Sequence, residues 1–356
     1  MILRYANNYD TPAIKELWKS EFESWEPYFS WYFTRVYRPE LTLVCCDGSE
    51  IVAVTQIAPY LLNLRSTKVT AAYLVGVVSS PARRGEGFGR AIIKYTIAEL
   101  KQKNISTALL YSDIPDFYLP LGFRHCYWQQ YLSWPAKSGE TTLWRKGAIC
   151  ADDIYAIDKI YRQMHIGCHG QLLRNLSNWQ KLLEEAECDQ ATIEIASNSY
   201  LISYTEGSSL RLREMGYTDQ DAFTSAKTKA TSIAASKGLS NVDWNAPIDL
   251  PSDPTVKTHP FVMARLVDYQ NLLPILPYPT DTAASFQFTI DQDPPFCLNI
   301  GNGGMIMPVA TDIGSLTQLV FGAKAADTSH FEATSQTLTL LNKCFPPMRC
   351  RINEYT

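Results

Sequence analysis

Apolar residues along the chain form two kinds of segment. Short apolar runs without a helical period predict buried strands, and in the first part of the chain they lie at residues 41–46, 51–58, 73–78 and 107–111. After the third run, Ala91, Ile92, Ile93, Ile97 and Leu100 recur at helical spacing and predict a helix to about residue 103. The resulting order over residues 1–136 is β-α-α-β-β-β-α-β-α-β, which predicts a mixed α/β unit.

The same order of elements recurs further along the chain. After a polar linker that begins at residue 137, two helices, several strands and a long helix at residues 219–237 are predicted. A third set of strands and helices begins near residue 257, with a capped helix at 312–322 and a longer one at 328–343. The pattern therefore predicts three α/β units, at residues 1–136, 137–256 and 257–356.

The turn between the strand at 73–78 and its helix has an unusual composition. It contains three glycines and three arginines, namely Gly85, Gly87, Gly89, Arg83, Arg84 and Arg90. Alternate glycines allow a sharp turn and a close approach of a ligand to the backbone. The first amides of a helix lack intrahelical partners and attract anions. The turn is therefore predicted to bind a phosphate-bearing molecule.

The spacing of these residues excludes two common phosphate loops. The glycines read G-x-G-x-G rather than G-x-G-x-x-G, and Gly89 is followed by Arg90 rather than by Lys and Ser or Thr. What remains is R-x-x-G-x-G at Arg84, Gly87 and Gly89. This motif resembles the pyrophosphate loop of the GCN5-related N-acetyltransferases (GNAT), which bind acetyl-coenzyme A. A glycine-rich turn with arginines facing solvent is the alternative.

A second motif strengthens the resemblance. Phe117, Tyr118, Gly122 and Phe123 fit the F-Y-x-x-x-G-F helix that follows the next strand in GNAT enzymes. The resemblance implies that Tyr118 lies near the thioester sulfur and protonates the leaving thiolate; a core tyrosine is the alternative. It also implies that the following residues bind the coenzyme: Val77, Val78, Ser79, Arg84, Gly85, Glu86, Gly87, Phe88, Gly89 and Arg90.

An aromatic stretch precedes these motifs. Seven of the twelve residues at 22–33 are aromatic, and Glu23 and Glu26 lie among them. Carboxylates among aromatic rings suit a cationic amine, through charge and cation–π contacts. We therefore expect Glu23, Trp25, Glu26 and Phe29 to bind the acceptor; an aromatic helix that packs on a sheet is the alternative.

Short sequence motifs in the rest of the chain resemble those of one GNAT branch, the enhanced-intracellular-survival (Eis-type) acetyltransferases. They are M-x-R-L-V-D at residues 263–268, D-I-G-S-L from Asp312, and the I-N-E near the end. The resemblance implies two tandem GNAT-like folds, the second degenerate, and a sterol-carrier-protein-like α/β domain. It also implies a hexamer and a general base in the C-terminal carboxylate of Thr356, with Glu354 at the substrate. The second fold has no R-x-x-G-x-G and is expected to bind no cofactor.

Composition narrows the function classes. The 356 residues are 46% hydrophobic and 19% charged, with a net charge of −4, so neither nucleic acid nor membrane is an expected partner. Nine cysteines without a C-x-x-C pattern, and no secretion signal, predict reduced thiols in a cytoplasmic protein. His165, Cys168 and His169 have metal-like spacing, but Gly167 and Gly170 disfavour a regular helix there, so no metal is predicted.

Taken together, the sequence predicts an N-acetyltransferase. It would move the acetyl group of acetyl-coenzyme A to a primary amine by direct attack, and the acceptor would be aminoglycoside-like, a polyamine or a lysine side chain. A non-catalytic acyl-coenzyme A or lipid-binding protein is the alternative. Release of the coenzyme thiol in the presence of amines separates the two.

Overall fold

A computed structural model describes residues 1–22, 25–139, 143–247 and 257–354. Its strands are β1 (Ile2–Tyr5), β2 (Thr42–Asp47), β3 (Glu50–Leu64), β4 (Thr67–Ser79), β5 (Thr107–Leu110), β6 (Arg124–His125), β7 (Trp128–Pro135), β8 (Arg145–Lys146), β9 (Thr192–Ile195), β10 (Ser199–Glu206), β11 (Ser209–Tyr217), β12 (Asn241–Pro247), β13 (Thr258–Pro260), β14 (Met263–Leu266), β15 (Ala284–Ile290), β16 (Phe296–Ile300), β17 (Ile306–Thr311) and β18 (Phe331–Glu332).

The α-helices are α1 (Thr11–Lys19), α2 (Tyr28–Trp31), α3 (Phe88–Gln102), α4 (Pro115–Tyr118), α5 (Ala151–Met164), α6 (Leu176–Cys188), α7 (Gln220–Ser236), α8 (Tyr269–Leu272), α9 (Ile313–Val320) and α10 (Ser335–Cys344). A π-helical turn, Tyr32–Val36, continues α2. Within the described ranges, none of the helices combines the length and the apolar character that a membrane span requires.

The first sheet has seven strands in the order β1-β2-β3-β4-β5-β14-β6. Strands β4 and β5 are parallel and are joined through α3, which packs on one face of the sheet. The strand at 263–266, predicted as part of the third unit, is β14 and pairs with β5 through Met263 and Leu110. The third unit thus contributes a strand to the sheet that carries the glycine loop.

The second sheet also has seven strands, in the order β13-β7-β12-β11-β10-β9-β8. The strand predicted to end the first unit is β7, but it pairs with β12 and β13 in this second sheet. The reason is that β14 occupies the edge of β5, and sequence order does not encode which edge a strand takes. Each seven-stranded sheet therefore contains a strand that the sequence assigned to another unit.

A parallel β-α-β unit occurs in both large sheets. Strand β11, helix α7 and parallel strand β12 repeat the order of β4, α3 and β5. At the start of α7, however, Asp219 caps the helix by accepting a 2.8 Å hydrogen bond from the amide of Ala222. The carboxylate places negative charge at this helix start, where α3 has a glycine.

The third sheet has four strands in the order β16-β15-β17-β18. All eight residues of α9 are buried, in the core that also contains the inner side chains of this sheet and of β14. The helix predicted at 328–343 is shorter, because Thr334 caps α10 through the amide of Thr337 and residues 331–332 pair with β17 instead.

Candidate active site

Strand β4 extends well past the end of its parallel partner β5. Their ladder covers only Ala71 to Tyr73 on β4, whereas β4 continues to Ser79. Because β5 ends at Leu110, this edge of β4 has no strand partner among the described residues beside the predicted coenzyme residues Val77, Val78 and Ser79, which leaves an opening there. An opening of this kind lets a ligand reach backbone groups of a central strand.

A bulge in β4 lies within this opening. The register with β3 shifts between Val54 and Gln56, and Gly76 has a positive φ of 59°. A Cβ at Gly76 would lie 2.1 Å from Cζ3 of Trp18, so only glycine fits. In the sequence, an isolated glycine in an apolar strand such as Gly76 is a signal for a bulge, and this signal was missed.

The glycine loop has the geometry that a phosphate site requires. Gly85 and Gly87 have φ values of 87° and 89°, and a Cβ at either would meet nothing within 4 Å. Gly87 is the N-cap of α3, whose first residue is Phe88. The positive end of a 15-residue helix therefore begins at a backbone turn that has open space around it, where an anion can approach. Gly89 packs close to Phe117, with 3.3 Å between its would-be Cβ and Cζ of the ring.

The three arginines of the loop have different partners. Arg83 binds Asp47 at 2.8 Å and Glu86 at 2.7 Å, and the guanidinium holds the pKa of the Glu86 carboxyl below its usual range. Arg84 pairs with Glu21. Arg90 is exposed, and no described carboxylate lies within ion-pair distance of it. Arg83 therefore shapes the loop, while Arg84 and Arg90 are placed on its surface.

Tyr118 is the last residue of α4 and belongs to the core cluster that contains Leu74 of β4 and Leu110 of β5. Its side chain is 5% exposed and packs edge-on against Phe117, with 4.9 Å between ring centroids. Burial raises the pKa of Tyr118 to about 12, against a smaller opposing effect of a hydrogen bond with Ser112. The hydroxyl is therefore protonated at neutral pH and has a proton to donate.

A cavity of about 290 Å³ lies between the first and second sheets. This is close to the lower end of the range for small-molecule sites, roughly 300–1,000 Å³. Its walls are α2 with the π-helical turn, β3, one residue of β4, α6 and residues 353–354. The aromatic part of the wall consists of Tyr28, Trp31, Tyr32 and Tyr60. Since Val75 of β4 also lines it, the cavity reaches the strand that carries the bulge.

The aromatic stretch lines this cavity, but with residues other than those predicted. Trp25 is partly exposed and stacks on Tyr28, Glu26 is exposed and accepts a 2.8 Å hydrogen bond from Ser30, and Phe29 packs into the core. The cavity instead contacts positions 28, 31 and 32, which share one helical face. Of the predicted acceptor residues, Glu354 lines the cavity, and Glu23 lies outside the described residues.

A buried arginine holds Glu354 in place. Arg174 is 3% exposed and binds Glu354 through Nε at 2.8 Å and Glu214 through both Nη atoms at 2.8 Å. Its guanidinium lies 4.4 Å from the ring centroids of both Tyr161 and Trp179. Burial opposes ionisation of Glu214, but Arg174, the Tyr200 hydroxyl and Arg213 together lower the pKa of that carboxyl.

The segment that leads to Glu354 runs through the interior. Cys350, Arg351 and Ile352 are buried, and the amide of Arg351 donates to the carbonyl of His169 at 2.9 Å. The ring of His169 accepts from the amide of Arg65 at 2.7 Å and donates to the carbonyl of Phe321 at 3.1 Å. Burial lowers the pKa of His169 to about 4, so the ring is neutral. Both ring nitrogens of His169 are therefore bonded to backbone groups, so this side chain has a structural role.

The two other members of the histidine and cysteine motif also contact backbone. Nδ1 of His165 lies 2.7 Å from the carbonyl oxygen of Tyr161, and the Cys168 thiol donates to the carbonyl of Met164. Over the described ranges, no three His, Cys, Asp or Glu side chains converge in a way that could hold a metal ion. Thr356, the predicted source of the general base, lies outside the described residues.

An open edge of a central strand beside a glycine and arginine loop, with a buried tyrosine in the same domain, is compatible with an acyltransferase. Residues 3–126 match the family model described as an acetyltransferase (GNAT) domain. Over residues 3–126 the chain is thus similar to GNAT acetyltransferase domains, and this match supports an acyltransferase. No curated protein matches the sequence.

Solved structures share the fold of the whole chain. A conserved protein of unknown function from Enterococcus faecalis V583, described as a probable N-acyltransferase, is 17% identical with a TM-score of 0.86, over 100% of this chain and 99% of its own. A GCN5-related N-acetyltransferase from Anabaena variabilis is 18% identical (TM-score 0.83), and Eis1 from Mycobacterium abscessus is 11% identical (TM-score 0.75). Each of these two matches covers 100% of this chain and 100% of the matched chain.

Proposed function

We propose that the protein is an N-acetyltransferase that moves the acetyl group of acetyl-coenzyme A to a small primary amine. The observation that carries the proposal is the arrangement in the GNAT domain: the Arg84-x-x-Gly87-x-Gly89 loop, the opened strand β4 and an aromatic cavity that reaches β4 at Val75. The coenzyme would bind from the loop along β4, and the acceptor amine would enter from the cavity.

The reaction would be a direct attack. The amine nitrogen bonds to the thioester carbonyl carbon, the carbon–sulfur bond breaks, the amine gives a proton to a base, and the thiolate takes one from Tyr118. Backbone amides at Val77 and Val78, beside the bulge, would polarise the carbonyl oxygen. The raised pKa of Tyr118 suits an acid that must stay protonated until the thiolate leaves.

The base in this proposal is the carboxylate of Thr356. Its support is Glu354, which lines the cavity and is held by Arg174. Glu354 stands two positions before Thr356 in the sequence, and two residues span at most about 7 Å.

We also propose that the chain combines two GNAT-like folds, the second degenerate, with a sterol-carrier-protein-like domain, at residues 1–136, 137–256 and 257–356, apart from strands β7, β13 and β14, which pair in the sheet of another unit. The repeated parallel β-α-β order supports the duplication. The Asp219 cap at the start of α7 supports the loss of phosphate binding, because its carboxylate repels an anion there.

Thiol release from acetyl-coenzyme A with a panel of amines tests the function. We expect amine-dependent release by the native protein and its loss in Gly87→Asp, because the new carboxylate enters the phosphate position. Affinity for the coenzyme should fall at least about tenfold, or 1.4 kcal/mol, by calorimetry.

Gly207→Asp is the matched control, since Gly207 also has a positive φ and open space but lies in the turn between β10 and β11. It should bind the coenzyme as the native protein does. Unchanged affinity in folded Gly87→Asp would refute the assignment of the loop. Coenzyme binding without thiol release for any amine would favour the non-catalytic alternative.

A short C-terminal extension should reduce turnover at least about tenfold, because it moves the carboxylate of Thr356 and adds bulk at the cavity. Coenzyme affinity should not change, since the glycine loop is untouched. Steady-state rates are compared with those of a protein that carries the same extension before the exposed Met1. Full activity of the C-terminally extended protein would place the base elsewhere.

A further inference from the structure

The charges that line the cavity are of two kinds. Most belong to ion pairs between lining residues: the buried Arg174 with Glu354 and the half-buried Arg213 with Glu185, both at 2.8 Å. These four lining side chains carry two positive and two negative charges and shape the wall. Three other charged side chains line the cavity, and no described group lies within ion-pair distance of them: Arg38, Glu40 and Lys181.

Arg38 and Lys181 lie at one end of the cavity. Both also line an adjoining surface groove, with Arg35, Ser177, Gln180 and Glu184. The carboxylate of Glu184 is already bound by Arg35 at 2.7 Å and by the indole of Trp31 at 3.1 Å. It is therefore not available as a close partner for Lys181. Burial lowers the pKa of Lys181, and the positive charge of Arg38 lowers it further.

Two neighbouring cations at the mouth of an aromatic cavity favour an anion. Glu40 is the single opposing charge in the wall without an ion pair among the described residues, and it is outnumbered. From the sequence a cationic amine is expected, because Glu23 and Glu26 lie among the aromatic residues. The described carboxylate of that pair, Glu26, does not line the cavity.

We propose that the acceptor carries an anionic group, a carboxylate or a phosphate, in addition to its amine, and that Arg38 and Lys181 bind that group at the mouth of the cavity. The inference rests on the proposed function and specifies its substrate class. The acceptor is then a zwitterion whose anionic end stays at the mouth, while the amine extends past the aromatic wall toward β4.

Three ligands of equal chain length test this: 6-aminohexanoate, 6-aminohexyl phosphate and hexylamine. By calorimetry, at least one of the two anionic amines should bind at least tenfold more tightly than hexylamine, and the comparison between them distinguishes carboxylate from phosphate. In Lys181→Met and in Arg38→Gln that ratio should fall to threefold or less. Lys237→Met, at the end of α7, should keep the native ratio.

Equal affinity for all three ligands, absence of binding by both anionic amines, or a native ratio in both cavity variants would overturn the inference. Melting temperatures confirm that the variants are folded. Thiol release separates this result from the proposed function. An active enzyme without anion preference contradicts only this inference, whereas charge-dependent binding without acetyl transfer contradicts only the N-acetyltransferase.

Discussion

Replacement of Tyr118 by phenylalanine should lower turnover by about a hundredfold or more and leave the affinity for acetyl-coenzyme A within about twofold. The ring and its packing against Phe117 remain, and only the proton donor is lost, which accounts for the expected magnitude. The native enzyme should also keep its turnover between pH 8 and 10. An acid must be protonated to act, and the pKa of Tyr118 is raised to about 12.

Tyr269→Phe is the matched control. Tyr269 is equally buried, burial raises its pKa to about 12 as well, and its hydroxyl donates to Asp293 at 3.0 Å, outside the active site. Loss of that hydrogen bond should cost about 1 kcal/mol of stability without a change in turnover. If the Tyr118 variant retains turnover within twofold of the native enzyme, another group must protonate the thiolate.

The glycine loop was readable from the sequence because its signal is local. Glycines at positions 85 and 87 are needed for backbone geometry, and both adopt positive φ. The motif formed by Arg84, Gly87 and Gly89 therefore lies within six consecutive residues and can be recognised in the sequence. The partner of an arginine is not local information: Arg83 binds Asp47 across 36 positions, and the sequence could not separate it from Arg84.

The aromatic segment was found, but its orientation was not. When aromatic residues occupy both faces of a helix, the hydrophobic pattern does not show which face lines a cavity. Positions 25, 26 and 29 then look as suitable as positions 28, 31 and 32. The π-helical turn at Tyr32–Val36 further changes the periodicity, with Tyr37 donating to the carbonyl of Tyr32 at 2.8 Å. The cavity is thus lined by the predicted aromatic segment, but through positions 28, 31 and 32.

Arg174 had no signal in the sequence. Its partners lie 40 and 180 positions away, and the two rings that flank it are on α5 and α6. A buried ion pair appears only when the second sheet and the end of the chain come together. For this reason a group that shapes the cavity wall could be found only in the folded structure.

Arg174→Met should lower the free energy of unfolding by about 3–5 kcal/mol, because it leaves the carboxylates of Glu214 and Glu354 buried without their cation. Lys343→Met is the control: it removes a surface pair with Asp281 at 2.9 Å and should cost at most about 1 kcal/mol. Chemical denaturation at pH 7 measures both changes.

Two further measurements identify the unpaired charges as the cause of the loss in Arg174→Met. Adding Glu214→Gln and Glu354→Gln should restore much of the stability, since removal of a whole buried network costs far less than removal of one partner.

The difference in the free energy of unfolding between Arg174→Met and the native protein should also narrow as the pH falls from 7 toward 4. In the native protein Arg174 holds the pKa of Glu214 low, so its stabilisation is present above the unfolded pKa of about 4.3 and declines as the pH falls through the folded value. In the variant, burial favours the protonated acid, so acidification is stabilising there. A loss below 1 kcal/mol, or one that does not change with pH, would show that packing around Arg174 matters more than its charge.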